Sequence, residues 1–269
     1  MKARELSLRT VSVCGQWAFT LLLIYAVWRW LLDPHLSPVL FASPAKVFSQ
    51  LGTYASNGDL WAMVGTTLSE ALAGFAIGAL TGIIAALAIG SMRPRYGKVF
   101  EPIIGGFYAM PKFVLAPLLF LWLGTGFAPR TVLVTVSVFP LVAIYSLTGI
   151  RTVDADTVRM MQLAGASKLQ IARKLMLPHT GGYLVISLVL AGPHALTVAI
   201  ASEILFGASN GIGGFLYTSS EAFSASGVLA TLIIGTAVAL LLFGITRALE
   251  HRLLSARGLG RLARGNTAL

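Results

Sequence analysis

Six stretches of predominantly apolar residues, near 11–32, 66–90, 102–123, 131–150, 181–205 and 227–248, occupy most of the 269-residue chain. A helix needs about 20 apolar residues to cross about 30 Å of hydrocarbon, and inside a bilayer only helices and closed barrels satisfy their own backbone polar groups. The sequence therefore predicts an all-α, polytopic transmembrane helical bundle of about six spans. Composition agrees, since 56% of residues are hydrophobic and 11% charged, against about 25% charged in soluble domains. The remainder is too short for a large soluble domain.

A net charge of +10 would point to nucleic acid in a soluble protein, so its distribution decides what it means. Sixteen of the 20 Lys and Arg residues fall on one side of the proposed spans: Lys2, Arg4, Arg9, Arg93, Arg95, Lys98, Arg151, Arg159, Lys168, Arg173, Lys174, Arg247, Arg252, Arg257, Arg261 and Arg264. Arg29, Lys46, Lys112 and Arg130 are left for membrane or outer positions. By the positive-inside rule both termini are cytoplasmic, and the basic charge reports topology with no nucleic-acid partner. The first apolar stretch is too long for a signal-peptide core and reads as a retained anchor. Cys14 within it has no second cysteine to pair with and reads as a small apolar residue.

The segment Arg159–Pro178, RMMQLAGASKLQIARKLMLP, is polar and basic between apolar neighbours. Gly165 supplies the positive φ that closes a helix, and Ser167 with Gln170 three residues later forms a capping box that opens another. Pro178 is expected to stop that second helix. Leu169, Leu175, Met176 and Leu177 are apolar, whereas Lys168, Gln170, Arg173 and Lys174 are polar, so the segment lies at or outside the bilayer. A membrane protein would dock a soluble partner there.

Other local signals set packing. Ser43 and Pro44 in LFASPAKVFSQL start a short amphipathic helix with Val47, Phe48 and Leu51 on one side. Gly74, Gly78 and Gly82 place three small residues on one face, where a neighbouring backbone, of this chain or of a second copy, can approach closely. Pro102, Pro111 and Pro117 loosen the stretch 102–123, and freed carbonyls in a membrane are tolerated only against protein or a water-filled path.

Three signatures in one order carry a family resemblance. The segment at Gly165, Leu175, Leu177 and Pro178 is similar to the cytoplasmic coupling motif of ABC importer permeases, which reads Glu-Ala-Ala, three residues, Gly, nine residues, Ile, any residue, Leu, Pro. Arg159, Met160 and Met161 stand at its Glu-Ala-Ala positions and depart from it. MPKFVLAPLLFLWLGTG, Met110 to Gly126, resembles the Pro-x-x-x-Leu-x-Pro-Leu…Trp-x-Gly-x-Gly signature of the nitrate, sulfonate and taurine branch. Glu203 in ASEILFGASNGIGGFL stands a few residues before a Gly-x-Gly loop, as in that branch. The resemblance covers about residues 40–255. It implies a homodimer, two ABC ATPase subunits docked at the turn Gly165, Ala166, Ser167, a periplasmic or lipid-anchored substrate-binding protein, import, and residence in the bacterial inner (plasma) membrane.

The corresponding organisation is an N-terminal tail and first span (1–32), a periplasmic segment (33–65), a permease core (66–250) carrying the coupling segment 151–179, and a basic tail (251–269). Ionisable residues within spans face the bundle interior or water by default, which nominates Glu70, Lys112, His194 and Glu203 for the pathway. A cation such as Lys112 beside proline-loosened backbone suits an anionic cargo; it would equally serve as a structural partner of Glu203 or Glu70. Glu203 either partners the lysine or holds the loop Gly211–Gly214. No metal spacing, nucleophilic triad or phosphate-cradling Gly-x-x-x-x-Gly-Lys-Ser/Thr loop is present, so the chain binds no cofactor by those devices, and ATP with Mg belongs on a partner. The cargo the resemblance implies is a small solute, an anion such as nitrate, a sulfonate or taurine, with a thiamine-pyrimidine precursor or aromatic carboxylate as the alternative. A proton- or sodium-coupled carrier using Glu70, Glu203 and His194 is the rival from another class.

Overall fold

The computed structural model describes residues 16, 19–20, 22–23, 25–32, 41–92, 94–207 and 210–256. Much of the first expected span with Cys14, the cationic positions Lys2, Arg4, Arg9, Arg93, Arg257, Arg261 and Arg264, and most of the C-terminal tail lie outside them. Every regular element among the described residues is helical. Four helices are long and apolar enough to cross a membrane, Asp59–Gly90 (α2), Phe127–Arg151 (α5), Gly181–Leu205 (α8) and the apolar part of Ala225–Ala256 (α10), and one bent pair brings the number to five. The chain divides into two compact units, residues 62–214 with 235–269, and residues 1–61 with 215–234.

The larger unit is built on α2, α5 and α8. Val134, Val138 and Val142 on α5 and Ala191, Ala195 and Ala199 on α8 are essentially unexposed and form one core. Close approach of α2 to α5 depends on absent side chains. A Cβ at Gly74 would lie 2.5 Å from Val134 Cβ, one at Gly78 2.8 Å from the Thr135 carbonyl, and one at Gly82 2.8 Å from the Phe139 carbonyl. The small-residue face is used within the chain. Gly149 does the same at the other end, where a Cβ would meet Thr180 Cγ2 at 2.5 Å.

The stretch expected as a span over 102–123 is instead two helices. Pro94–Ala109 (α3) ends before Pro111, and a tight turn, Lys112–Leu115, leads into Ala116–Leu123 (α4). The two arms meet at 83°. Pro111 has no N–H to continue α3 and pushes Met110 away from helical backbone angles, while Pro117 sits in the first turn of α4, where no donor is lost. Pro102, inside α3, is accommodated without a break.

The smaller unit contains the helix Pro44–Ser56 (α1) with Pro at its first turn. Its buried residues are Pro44, Val47 and Tyr54, and Phe48 is exposed, which corrects the expected face of Val47, Phe48 and Leu51. Tyr54 meets Phe215 edge-on at 5.6 Å between ring centroids, and the Trp28 indole donates to the Ala42 carbonyl at 3.1 Å.

Candidate functional site

The segment expected to couple, 151–179, holds a helix, a tight turn and a second helix. Ala155–Leu163 (α6) is opened by Asp154, whose carboxylate accepts from the Thr157 hydroxyl at 2.8 Å, the Thr157 amide at 3.0 Å and the Asp156 amide at 3.3 Å. The Thr157 hydroxyl, then these amides, hold the Asp154 carboxyl below its ordinary value. At the other end Gly165 has φ +80°, and the Gly165 and Ala166 amides donate to the Gln162 and Met161 carbonyls at 3.0 Å each. This is the Schellman closure, which needs a residue at ease with positive φ. Ser167 then accepts from the Gln170 amide at 3.3 Å while Gln170 Oε1 accepts from the Ser167 amide at 2.7 Å. The turn thus closes one helix and opens the next through bonds made among neighbouring residues.

The second helix runs Lys168–Ile171, Ala172–Met176 and Leu177–His179, together α7, and does not stop at Pro178 as expected. The proline ring would clash with a carbonyl of the preceding turn and brings no donor. The turn before it widens to a π-helix, with the Leu177 amide reaching the Ala172 carbonyl five residues back, and the helix continues to Thr180.

Burial divides the segment into two faces. Ile171 and Met176 are buried against Ile89, Leu147 and Ile150 at the span ends, with Met161, Ala166 and Leu175 half-buried beside them. Met160, Leu163 and Leu169 point outward with exposures of 65%, 89% and 77%. Arg159, Gly165, Ser167 and Pro178 are exposed and Leu177 is half-buried. The sequence does not single out Leu163, and it groups Leu169 with Leu175, Met176 and Leu177 as apolar residues of the second helix without saying which face each takes; the structure separates exposed Leu169 from buried Met176. Arg159, at the position where the resembling motif has Glu, pairs with exposed Asp156 at 3.3 Å. A cavity of about 730 Å³ lies behind the segment, lined by Gly97, Glu101, Arg151, Val158 and Lys168 among others, with Glu101 and Arg151 ion-paired.

The four intramembrane candidates separate into two groups. Glu70 on α2 accepts from Arg130 Nε of α5 at 2.8 Å, with the Arg130 side chain only 11% exposed. One helical turn earlier, the Thr67 hydroxyl donates to Glu203 Oε1 at 2.7 Å and accepts from the Ile212 amide at 2.9 Å. The other Glu203 oxygen accepts from the Gly213 amide at 2.6 Å, and the Gly214 amide also bonds this carboxylate. Glu203 therefore sits on the N-terminus of Ile212–Glu221 (α9), where free amides and the helix dipole favour an anion. Any Cβ on Gly211 would overlap the Glu203 carboxyl, and one on Gly213 would overlap the Ile200 carbonyl. The glycines let the loop lie on the carboxylate.

Lys112 and His194 form the second group. Lys112 Nζ donates to the Tyr108 carbonyl at 2.8 Å and stands 5.2 Å from the Tyr108 ring centroid, capping α3 at the bend. It lies within electrostatic range of half-buried His194, which follows Pro193 inside α8. The lysine does not bridge to Glu203 or Glu70; Arg130 takes Glu70 instead. Arg130 and Thr67 escaped the sequence reading because neither stands near its partner along the chain. The one available signal was a lone arginine at the start of a span.

Residues 78–255 match the binding-protein-dependent transport system inner membrane component family. The chain belongs to this family. It is 26% identical over 240 residues to the taurine transport system permease protein TauC of Escherichia coli strain K12, covering 87% of this chain and 86% of that one. It is 27% identical over 239 residues to the riboflavin transport system permease protein RibX of Chloroflexus aurantiacus, covering 87% and 88%. It is 24% identical over 236 residues to the formylaminopyrimidine transport permease protein ThiX of Halalkalibacterium halodurans, covering 88% and 93%. Among solved structures, a bacterial ABC transporter involved in import of the acidic polysaccharide alginate aligns with TM-score 0.64 at 16% identity, over 92% of this chain and 99% of that one. An inward-facing MetNI methionine ABC transporter aligns with TM-score 0.63 at 17% identity, over 72% and 96%. The fold is that of ABC permeases, and the family's members are transport subunits, not enzymes.

Proposed function

We propose that this permease subunit works as a homodimer in the bacterial inner membrane, with two ATPase subunits gripping the turn Gly165–Ser167 from the cytoplasm and a periplasmic or lipid-anchored binding protein delivering cargo. The observation that carries the reading is the outward apolar face of Met160, Leu163 and Leu169 on a capped helical turn. Large apolar residues exposed on a polar segment lie outside the lipid, and a protein partner is what would cover them. Ile171 and Met176 join the same helix to the span ends, so movement of the turn reaches α2 and α5 as a rigid displacement. ATP and Mg reside on the partner; this chain supplies the path and the lever. Both termini face the cytoplasm, as the one-sided Lys and Arg distribution supports.

The cargo is a small solute carrying an anionic group, in the class of taurine, other sulfonates or nitrate. Support comes from the taurine permease relative and from Lys112 at the bend between α3 and α4. Glu203, with Thr67, holds the loop Gly211–Gly214 as a fixed outer element. The ion-coupled carrier loses force because Glu70 is occupied by Arg130 and Glu203 by three donors.

Co-purification of the tagged chain in mild detergent tests the assembly. An ATPase subunit should accompany the wild type, and Leu163→Asp with Leu169→Asp should release it. A wild type that purifies alone refutes the reading. Lys112→Met should lower uptake of a sulfonate without loss of the assembly; unchanged uptake removes Lys112 from the path.

A further inference from the structure

A second cavity, about 370 Å³, opens on the larger unit between α2, α8 and α10. Leu72, Phe75, Leu188, Gly192, Ile245 and Leu249 line it, and among the described residues Thr246 and Glu250 are the only polar side chains in its wall. Register is fixed by Gly192, whose Cβ position lies 3.2 Å from Thr246 Cγ2. On α10 the lining runs from Leu242 to Leu253, about 16 Å at about 1.5 Å per residue, and on α2 it continues from Leu68 to Phe75, starting next to Thr67. Its polar end lies on the side of the coupling segment, because α8 begins directly after α7. At that end Glu250, buried, accepts from Arg247 at 2.8 Å. Arg247 also stands over the Phe243 ring at 5.6 Å, and its side chain remains 46% exposed. His251 and Arg252 follow on the exposed surface.

We propose that this groove holds one acyl chain of an anionic phospholipid of the cytoplasmic leaflet, with its phosphate at Arg247. An apolar slot with one wall about 16 Å long on α10 suits a lipid tail. A guanidinium fixed at the mouth by Glu250 keeps further N–H donors for a phosphate, and basic pockets between spans on the cytoplasmic side recognise anionic head groups. The inference rests on the membrane-spanning reading of the chain.

The test is native mass spectrometry of the full chain in mild detergent, titrated with phosphatidylglycerol and with phosphatidylcholine. One phosphatidylglycerol per chain should be retained at about tenfold lower lipid concentration than phosphatidylcholine. Leu249→Trp fills the slot from a half-exposed position, leaving the core untouched, and should weaken both lipids tenfold or more. The double variant Arg247→Gln with Glu250→Gln keeps the pair neutral and should abolish the preference while tail binding persists. Equal retention by wild type and Leu249→Trp overturns the site. So does a disulfide between two copies of Leu249→Cys in a Cys14→Ser background, or a cross-link from that cysteine to residues 16–32. Alkaline carbonate extraction separates the levels: a chain released from membranes overturns the membrane reading, and a retained chain without lipid overturns the groove alone.

Discussion

Replacing Glu203 with Ala should unlatch the loop that leads into α9. The carboxylate accepts from Thr67 at 2.7 Å, from the Gly213 amide at 2.6 Å and from the Gly214 amide, and its side chain is fully buried. A hydrogen bond to a charged group contributes about 1.5–3 kcal/mol in water-soluble proteins, but bonds between membrane helices average nearer about 0.6 kcal/mol, because the unfolded chain in lipid also finds partners. Three bonds between those limits, lost together and leaving two backbone donors without an acceptor, give about 3–5 kcal/mol. At about 2–4 °C per kcal/mol for a chain of this size, the midpoint of thermal unfolding should fall by about 6–20 °C. Glu203→Gln keeps one acceptor oxygen but turns an N–H₂ toward the loop amides, and should lose about half as much. The assay is fluorescence-detected size exclusion of the detergent-solubilised chain after a temperature ramp. A Glu203→Ala midpoint within 2 °C of wild type would refute the latch, since three buried bonds worth under about 1 kcal/mol are incompatible with that geometry.

The remaining expectations concern the coupling turn, helix packing and pH. Gly165→Val should leave the fold intact, because no atom lies within 4 Å of its Cβ position, yet should strain the +80° turn by about 1–2 kcal/mol or more; ATP hydrolysis and uptake measured in the reconstituted assembly should uncouple, while Gly165→Asn stays near wild type. Gly78→Leu should cost several kcal/mol, on the order of an overpacked core, since even a Cβ meets the Thr135 carbonyl at 2.8 Å; an unchanged melting midpoint would contradict the α2–α5 contact. The Asp154 cap has a folded carboxyl value below the ordinary 3.8, so its stabilisation is present above that pH and is lost as pH falls through the lowered value. Amide protection at Asp156 and Thr157 should decline on acidification below 3.8, and Asp154→Ala should remove that dependence.

Much of the site was legible because its signals are local. The Gly165 turn and the Ser167–Gln170 box depend on residues within a few positions of one another, so backbone chemistry alone specifies them. Four long spans follow from hydrophobic length. The bend at Pro111 was half legible: three prolines announced loosened backbone, but whether one span tilts or two arms fold to 83° depends on what the arms pack against. The continuation past Pro178 is not legible in the sequence because a proline can end a helix or be passed by a widened turn, and local pattern does not say which.

By itself the sequence determined the all-helical class, the apolar spans and the capped turn at Gly165–Ser167, all set by interactions spanning a few residues or by the length of an apolar run. Tertiary structure alone decided the pairing. Arg130 meets Glu70 across 60 positions, Thr67 meets Glu203 across 136, and Ile212 returns to Thr67 across 145. In an apolar interior a buried charge must find its complement wherever packing brings one, and no local pattern in the chain names which residue that will be.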